Sequence, residues 1–253
     1  LRSVAEQLAS EAAAYVRRRR SEVFGSGASP AGQQDAVRAK STPTDPVTIV
    51  DTETERLLRD RLAELRPGEA ILGEEEGGPG PGNDPAGAGR LTWVLDPIDG
   101  TVNFMYGIEA YAVSVGVQRD GVSVAGAVAD VAAGAVYSAA SGGGARVLRD
   151  GAGTALQCSA AAELSMALVG TGFAYDRDRR MRQGRVVAEL LPEVRDLRRI
   201  GSCALDLCMV AAGRLDAYFE EGVHVWDWAA AALIAAEAGA HVRTATTPDG
   251  AGF

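Results

Sequence analysis

The fold is constrained most by a run of short apolar segments between Leu91 and about Leu156, separated by glycine-containing turns. The segments are Thr92–Leu95, 111–118, 122–129, 134–139 and 145–148. Asp120-Gly121 and Asp150-Gly151 are dipeptides typical of two-residue hairpin turns. Parallel strands need crossovers of a dozen or more residues, and this run has no room for them. The pattern therefore predicts an antiparallel meander.

Segments on both sides of this run have the period of helices. Apolar residues recur every three or four positions at Val4, Leu8, Ala12, Tyr15 and Val16, which predicts a helix over residues 1 to 24. A second helix is predicted from Asp51, as its N-cap, to Pro67-Gly68. The remaining predicted elements are strands at 70–72, 167–171 and 215–219 and helices at 178–191, 203–212 and 226–238.

This order of elements predicts an α/β (α+β) protein in which helices cover a large antiparallel meander sheet and a second, smaller sheet. We expect a single domain over residues 1–253, because this length suits one large domain. It would have an N-terminal half at 1–156 and a C-terminal half at 157–253. Loops rich in Gly, Pro and Ser are expected at 25–36 and 77–89.

The charged residues restrict the possible functions. The net charge is −9, and an acidic chain is a poor binder of nucleic-acid phosphates. Only two histidines are present, so a metal centre built from histidines is excluded. Any metal would be bound mainly by carboxylates, which favour hard cations such as Mg²⁺. No apolar run approaches the roughly 20 residues of a membrane span.

Two further patterns bear on location and partners. Cys158, Cys203 and Cys208 form no CxxC pair, which predicts reduced thiols and a cytoplasmic protein. The run Arg17–Arg20 could bind nucleic acid, but a charge run is more often a solvated face, and cations suit the last turn of a helix. We therefore expect no direct binding of nucleic acid and no membrane association.

The strongest candidate site is Asp96-Pro97-Ile98-Asp99-Gly100-Thr101, which directly follows an apolar strand. Pro97 is expected to hold a turn, so that two carboxylates emerge close together at a strand end. Such carboxylates raise each other's pKa unless a cation lies between them. Gly100 permits close approach of a ligand, and the amides of Gly100 and Thr101 could bind phosphate if a helical turn begins there.

Two weaker acidic motifs accompany the hexapeptide. Gly73-Glu74-Glu75 follows a predicted strand, and Trp226-Asp227-Trp228 opens the last predicted helix. Taken alone, a glutamate pair is common on any surface, and Asp227 would more often be an N-cap or first-turn acid than a ligand. A functional interpretation therefore depends on the occurrence of all three motifs together.

In their order these motifs resemble the inositol monophosphatase family, which has Gly-Glu-Glu, then Asp-Pro-Ile-Asp-Gly-Thr, then a late Trp-Asp followed by small residues, here Ala229-Ala230. The segment before the family's second helix is matched by Lys40-Ser41, Asp45, Val47-Thr48 and Asp51. The resemblance runs from about residue 10 to 242. It is strongest to bacterial, actinobacterial members, and the richness in Arg and Ala with one lysine suits a GC-rich genome.

The resemblance implies a layered αβαβα sugar-phosphatase fold, a homodimer, Mg²⁺ as cofactor and Li⁺ as inhibitor. Carried over by position, Glu74, Asp96 and the Ile98 carbonyl would hold a first Mg²⁺. Asp96, Asp99 and Asp227 would hold a second ion. A third, weaker ion would lie near Glu74.

The resemblance also assigns catalytic and substrate-binding residues. Thr101, supported by Asp51 and Glu74, would orient the attacking water, and the amides of Gly100 and Thr101 would bind the phosphate. The residues that would face the inositol hydroxyls are Asp99, Glu220 and the Gly201-Ser202-Cys203 turn.

The expected reaction is Mg²⁺-dependent hydrolysis of inositol-1-phosphate to myo-inositol and phosphate by attack of a metal-activated water. Related activities share this metal core: fructose-1,6-bisphosphatase, histidinol-phosphate phosphatase and 3′-phosphoadenosine phosphatase. Glu220 favours a polyol, whereas Arg177, Arg179 and Arg180 could bind a second phosphate. A regulatory binding protein is the alternative from another class, although it would have no reason to keep the whole acidic set.

Three single residues carry separate expectations. Lys40, the lone lysine, lies either near the metals or on the surface. Trp228 is expected to pack rather than to bind, and His224 to be a satisfied histidine at the helix entrance. Because the chain begins at Leu1 and ends at Phe253, before the family's last strand and helix, we expect further residues at both ends.

Overall fold

The computed structural model describes residues 1–25, 37–40, 45–79, 89–247 and 250–252. The helices are α1 (Arg2–Phe24), α2 (Ile49–Leu65), α3 (Thr101–Tyr106), α4 (Arg177–Leu190), α5 (Cys203–Ala211), α6 (Val225–Trp228) and α7 (Ala231–Glu237). The first nine strands are β1 (Val37–Ala39), β2 (Pro46–Thr48), β3 (Ala70–Gly73), β4 (Leu91–Asp99), β5 (Ala112–Arg119), β6 (Val122–Asp130), β7 (Ala135–Ala140), β8 (Ala145–Arg149) and β9 (Ala152–Ala155). The others are β10 (Leu168–Thr171), β11 (Asp196–Arg198), β12 (Ala217–Phe219), β13 (Glu221–Val223), β14 (Ala245–Thr247) and β15 (Gly250–Gly252).

Parts of the sequence-based predictions lie outside the described residues. They are most of the loops expected at 25–36 and 77–89, together with Ser41 and Phe253.

The main sheet has seven strands in the order β3-β4-β5-β6-β7-β8-β9. Strands β4 to β9 pair antiparallel with their neighbours in sequence, which confirms the predicted meander and extends it by β9. Asp120 and Asp150 have positive φ angles of 51° and 49°, as expected at two-residue hairpin turns. The sheet is mixed rather than purely antiparallel, because β3 pairs parallel to β4. The connection from Gly73 to Leu91 is long enough for that crossover.

The elements form alternating layers. Helices α1 and α2 cover one face of the main sheet, where Leu8, Leu58 and Trp93 belong to one buried core. Helices α5 and α7 cover the other face through a second core. The small parallel sheet β11-β10-β12 lies beyond α5, and α4 contributes Leu190 to its core. The predicted layered α/β fold is thus confirmed, while the division into halves at 156/157 stays a prediction.

Four local predictions were wrong in detail. Helix α2 begins after Thr48, whose Oγ1 accepts a hydrogen bond from the Val50 amide, so Asp51 is not its N-cap. Asp51 instead closes a capping box by accepting from the Thr48 amide. Pro97 does not hold a turn, because β4 continues to Asp99.

The third correction concerns the last helix, which is divided into α6 and α7. The interruption at Ala229 and Ala230 lies where the backbone packs directly on the paired glycines Gly116 and Gly126. A Cβ atom at Gly126 would lie 2.7 Å from the Ala230 Cα. Small residues on both sides are therefore needed for this close packing.

The run Arg17–Arg20 makes specific bonds within the protein. It is not in the last turn of α1, because the helix continues to Phe24. The Arg17 guanidinium donates to the Val131 carbonyl, and the Arg20 guanidinium to that of Phe104. Arg19 pairs with Glu53. These bonds attach α1 to α2, to α3 and to the turn after β6.

Two expectations from the composition can be compared with the structure. Cys158, Cys203 and Cys208 are free thiols, as expected. No helix in the described ranges combines the length and apolar character needed to cross a bilayer.

Candidate active site

Three aspartates from two distant parts of the chain converge at one end of the main sheet. Asp96 and Asp99 belong to β4, and Asp227 belongs to α6. Each offers one carboxylate oxygen, and these oxygens lie within 4.8 Å of one another. Asp96 is 1% exposed and Asp99 is 9% exposed. The structure thus brings together carboxylates from two of the three predicted motifs.

The end of β4 is irregular, and this irregularity explains how Asp96 and Asp99 share a site. Residues three apart in a regular strand point to opposite faces. The register between β4 and β5 shifts between Asp96 and Asp99, so the alternation is interrupted there. The Ile98 amide donates to Asp96 Oδ1 at 3.0 Å, which orients that carboxylate locally.

Thr101 begins α3 directly after Gly100, whose φ of 97° is in the left-handed region that favours glycine. The Thr101 hydroxyl lies 3.1 Å from Asp51 Oδ1 and 3.0 Å from the Ile98 carbonyl oxygen. Asp51 is fully buried, and its Oδ2 accepts from the amide and the hydroxyl of Thr48. Burial raises the pKa of Asp51 to about 7. The predicted association of Thr101 with Asp51 is therefore present.

Glu74 follows β3, next to the end of β4, because its amide donates to the Leu95 carbonyl. Lys40 Nζ lies 2.7 Å from Glu74 Oε1 and 2.5 Å from Glu75 Oε1. Burial opposes the charge of Lys40, but the two glutamates raise the pKa of its ammonium above the ordinary value. Lys40 therefore lies at the acidic site, which is the first of its two expected positions, and not elsewhere on the surface.

The turn before α5 holds Asp99 from the other side. Asp99 Oδ2 accepts from the Ser202 hydroxyl and from the Ala204 amide, both at 2.6 Å. Ser202 is 1% exposed and also accepts from the Leu205 amide as the N-cap of α5. Its hydroxyl therefore orients Asp99 from behind the site.

A cavity of about 530 Å³ opens in front of the aspartates. Most of the predicted site residues line it: Glu74, Asp96, Ile98, Asp99, Gly100, Thr101, Gly201, Cys203, Glu220 and Asp227. Asp51 and Ser202 lie buried behind this lining and contact it through Thr101 and Asp99.

The cavity also has lining residues that the sequence motifs did not identify as site residues. Tyr175 and Arg199 belong to this group. The sequence indicates Arg179 only as a possible ligand of a second phosphate and Trp226 only as the tryptophan of the Trp-Asp motif. The His224 ring lies stacked on that of Trp226, with centroids 4.7 Å apart, so it is a wall residue. Trp226 belongs to the Trp-Asp motif itself, and the available signal for His224 was its position two residues before that motif. Tyr175 and Arg199 had no motif of their own.

One other prediction about a single residue has an outcome. Trp228 packs against the second core, which confirms its packing role. The backbone that follows Glu74 is fixed as well, because the amides of Glu75 and Glu76 donate to the buried Glu55 carboxylate.

Comparison with known proteins identifies the family. Residues 1–251 match the profile of the inositol monophosphatase family. The chain belongs to this family. Membership confirms the resemblance seen in the motifs, and with it the prediction of an inositol-phosphatase enzyme.

Relatives within the inositol monophosphatase family are similar over most of their length. An inositol-1-monophosphatase of Mycobacterium leprae is 68% identical over 243 residues, covering 96% of this chain and 83% of the relative. The inositol-1-monophosphatase SuhB of Mycobacterium tuberculosis strain H37Rv is 66% identical over 247 residues, covering 97% and 84%. A solved structure of Mycobacterium tuberculosis SuhB has a TM-score of 0.83 and 59% identity, covering 100% of this chain and 88% of that one.

The acidic site of this inositol monophosphatase chain fits a divalent cation. Burial and the neighbouring Glu74 raise the pKa of Asp96 well above its usual range. Burial and Asp99 do the same for Asp227. Burial raises the pKa of Asp99 to about 6, although the bonds from Ser202 and Ala204 oppose this.

Like charges in a buried site are stabilised by a cation between them. The ligand atoms are all oxygens, which hard cations prefer. They lie within 4.8 Å of one another, close enough to converge on one cation. The donor set therefore suits Mg²⁺.

Proposed function

We propose that this chain is a Mg²⁺-dependent phosphomonoesterase that hydrolyses inositol-1-phosphate to myo-inositol and phosphate. The observation that carries the proposal is the convergence of Asp96, Asp99 and Asp227 beside Thr101 in a chain of the inositol monophosphatase family. The names of the mycobacterial relatives support the same substrate.

In this proposal the acidic residues hold two or three ions. Asp96, Asp99 and Asp227 would hold one of them, and Glu74, Asp96 and the Ile98 carbonyl would hold another. Bound Mg²⁺ supplies positive charge for the phosphoryl oxygens and lowers the pKa of a coordinated water. Without that charge, the carboxylates would repel a phosphate dianion.

Thr101 orients the attacking water. Its hydroxyl has one proton to donate, and both Asp51 Oδ1 and the Ile98 carbonyl oxygen lie within reach. The lone pairs of Thr101 Oγ1 then accept a hydrogen bond from the water. The water oxygen gives up one proton and forms the new P–O bond, the ester P–O bond breaks, and the departing inositol oxygen takes up one proton, so that the net transfer is from the water to the alcohol.

The substrate is held at both ends. The amides of Gly100 and Thr101 bind the phosphate at the start of α3. On the other side of the cavity, Glu220, Asp99 and the wall at Gly201 and Cys203 face the inositol hydroxyls. A carboxylate such as Glu220 accepts hydrogen bonds from hydroxyl groups, which suits a polyol.

The decisive experiment measures hydrolysis of inositol-1-phosphate with Mg²⁺, with excess chelator and with added Li⁺. We expect turnover that requires Mg²⁺ and is inhibited by Li⁺. Appreciable turnover in excess chelator would contradict the metal mechanism. Faster hydrolysis of histidinol phosphate would contradict the polyol substrate.

A second candidate substrate is a sugar bisphosphate such as fructose-1,6-bisphosphate. Arg179 and Arg199 line the same cavity and could bind a second phosphate, whereas Arg177 and Arg180 are absent from its described wall. Comparison of kcat/KM for the mono- and bisphosphate decides between them. A preference for the bisphosphate that is lost in Arg199→Gln would favour this candidate.

We further propose a homodimer that acts in the cytoplasm. The homodimer is supported by the resemblance to the family, and the location by the free state of the three cysteines. Sedimentation of the purified protein tests the dimer.

A further inference from the structure

Glu220 has a fixed position in the cavity wall. It lies between β12 and β13, and its Oε2 accepts a hydrogen bond of 2.5 Å from the Tyr218 hydroxyl. Both residues are partly buried, and Tyr218 packs against the core that includes α5. Burial and the neighbouring Cys203 and Glu220 raise the pKa of the Tyr218 hydroxyl above its ordinary value. The phenol therefore lies beside two residues of the cavity wall.

The second contact of Glu220 is with a glycine. The carboxylate lies directly over Gly172, just after β10, where a Cβ atom would be 1.8 Å from Oε2 and 2.1 Å from Cδ. Any side chain at this position would displace the carboxylate. Gly172 thus provides the space, and Tyr218 the hydrogen bond, that keep Glu220 in one orientation.

This orientation matters for recognition of hydroxyl groups. An ionised carboxylate has about four lone-pair sites, and the Tyr218 bond occupies one on Oε2. The remaining sites can accept from ligand hydroxyls. A site built to hydrogen-bond hydroxyl groups discriminates strongly against ligands that lack them. A preorganised acceptor also avoids the entropy cost of ordering a flexible glutamate on binding.

We propose that Tyr218 is a positioning residue for polyol recognition, which holds the Glu220 carboxylate against Gly172 so that it accepts from the ring hydroxyls of the substrate. The inference rests on the proposed function, because it takes a phosphorylated polyol as the substrate. It adds that discrimination between polyol and non-polyol esters depends on Tyr218, which contacts Glu220 and not the substrate.

The test compares two phosphomonoesters in Tyr218→Phe, which removes one oxygen and keeps the ring. Inositol-1-phosphate has ring hydroxyls, and phenyl phosphate has none. We expect the KM for inositol-1-phosphate to rise roughly 10-fold, as for loss of a bond to a charged group. We expect kcat/KM for phenyl phosphate to stay within about twofold, because that ester makes no use of Glu220.

The matched control is Tyr15→Phe. Tyr15 also donates to a glutamate, Glu53, at 2.9 Å, but it lies on α1. This variant should leave the ratio of the two kcat/KM values unchanged. A double-mutant cycle with Glu220→Ala completes the design. If Tyr218 acts through Glu220, Tyr218→Phe has no further effect on selectivity once Glu220 is alanine.

The outcomes separate the inference from the proposed function. An equal loss for both esters in Tyr218→Phe, or additive effects in the cycle, would overturn the positioning role and leave the phosphatase proposal intact. Failure of the unmodified enzyme to hydrolyse inositol-1-phosphate would overturn both. Should Tyr218→Phe fold poorly in thermal melts, Glu220→Asp serves as the second variant. It withdraws the carboxylate from the phenol, and an unchanged selectivity ratio there would also contradict the inference.

Discussion

Single carboxylates at the site are held by hydrogen-bond donors, which come from a distant segment for Asp99 and from three residues earlier in the chain for Asp227 and Asp51. Asp99 is bound by Ser202 and Ala204, Asp227 Oδ2 accepts from the His224 amide, and Asp51 is bound by Thr48. Each carboxylate therefore has one orientation before any ligand arrives. Preorganised ligands lose little entropy when they bind a cation, so their individual removal should have large effects.

Asp227→Asn tests the metal site. Asparagine has nearly the same size but lacks the charge, so we expect Mg²⁺ affinity to fall at least about 10-fold and hydrolysis to fall with it. Titration calorimetry measures the affinity directly. Asp60→Asn on the exposed side of α2 is the control and should bind Mg²⁺ normally. Unchanged affinity in Asp227→Asn would remove this residue from the ligand set.

Thr101→Val tests the orientation of water. Valine keeps the shape but removes the hydroxyl, so we expect kcat to fall roughly 100-fold or more, within the range for a lost proton-transfer group. Thr101→Ser should restore most of the rate, because it returns the oxygen. Rates measured at saturating substrate and Mg²⁺ decide the point. A fully active valine variant would show that the hydroxyl has no part in the reaction.

At the scale of elements, helix ends and strand irregularities place the site residues. The capping box at the start of α2 fixes Asp51, and the register shift at the end of β4 turns Asp99 toward Asp96. The interruption between α6 and α7 follows the packing of Ala229 and Ala230 on two glycines of the sheet. The sequence shows which residues can cap a helix. The backbone geometry determines which of them comes directly before its first turn.

Thr48→Ala tests the capping box. The variant loses the hydroxyl that accepts from the Val50 amide and donates to Asp51. We expect the free energy of unfolding to fall by about 1 kcal/mol, the usual cost of a lost N-cap. Urea denaturation measures this, with Thr52→Ala in the same helix as control. Equal effects in the two variants would mean that the cap contributes nothing specific.

At the scale of the whole molecule, the buried acid Asp206 differs from the hydrogen-bonded carboxylates of the active site. Asp206 on α5 is 1% exposed, and both of its oxygens lack a hydrogen-bond partner among the residues that the structure describes. Burial, with Glu220 and Asp99 nearby, raises the pKa of Asp206 to about 8. The folded protein therefore keeps a proton on Asp206 at pH values where the unfolded chain has lost it.

The Asp206→Asn variant tests whether folded Asp206 keeps its proton, because the substitution changes how the free energy of unfolding depends on pH. Because the folded pKa is raised, the contribution of Asp206 to stability decreases as pH rises from about 4 to about 8, with a slope of up to about 1.4 kcal/mol per pH unit. Asparagine does not titrate, so the variant should gain stability relative to the unmodified protein over this window. Urea denaturation at pH 5 and pH 7 measures the difference. A stability difference independent of pH would show that Asp206 is ionised in the folded state.

The sequence by itself determined the meander, the layered class and the residue types of the acidic site. These depend on hairpin turns, side-chain alternation and short motifs, which are local properties of the chain. Tertiary structure alone decided the parallel pairing of β3, the position of Lys40 at Glu74, and the contact of Tyr218 with Glu220 over Gly172. Such contacts join segments far apart in sequence or require a close backbone approach. They arise only when the layers pack together, and no local pattern specifies them.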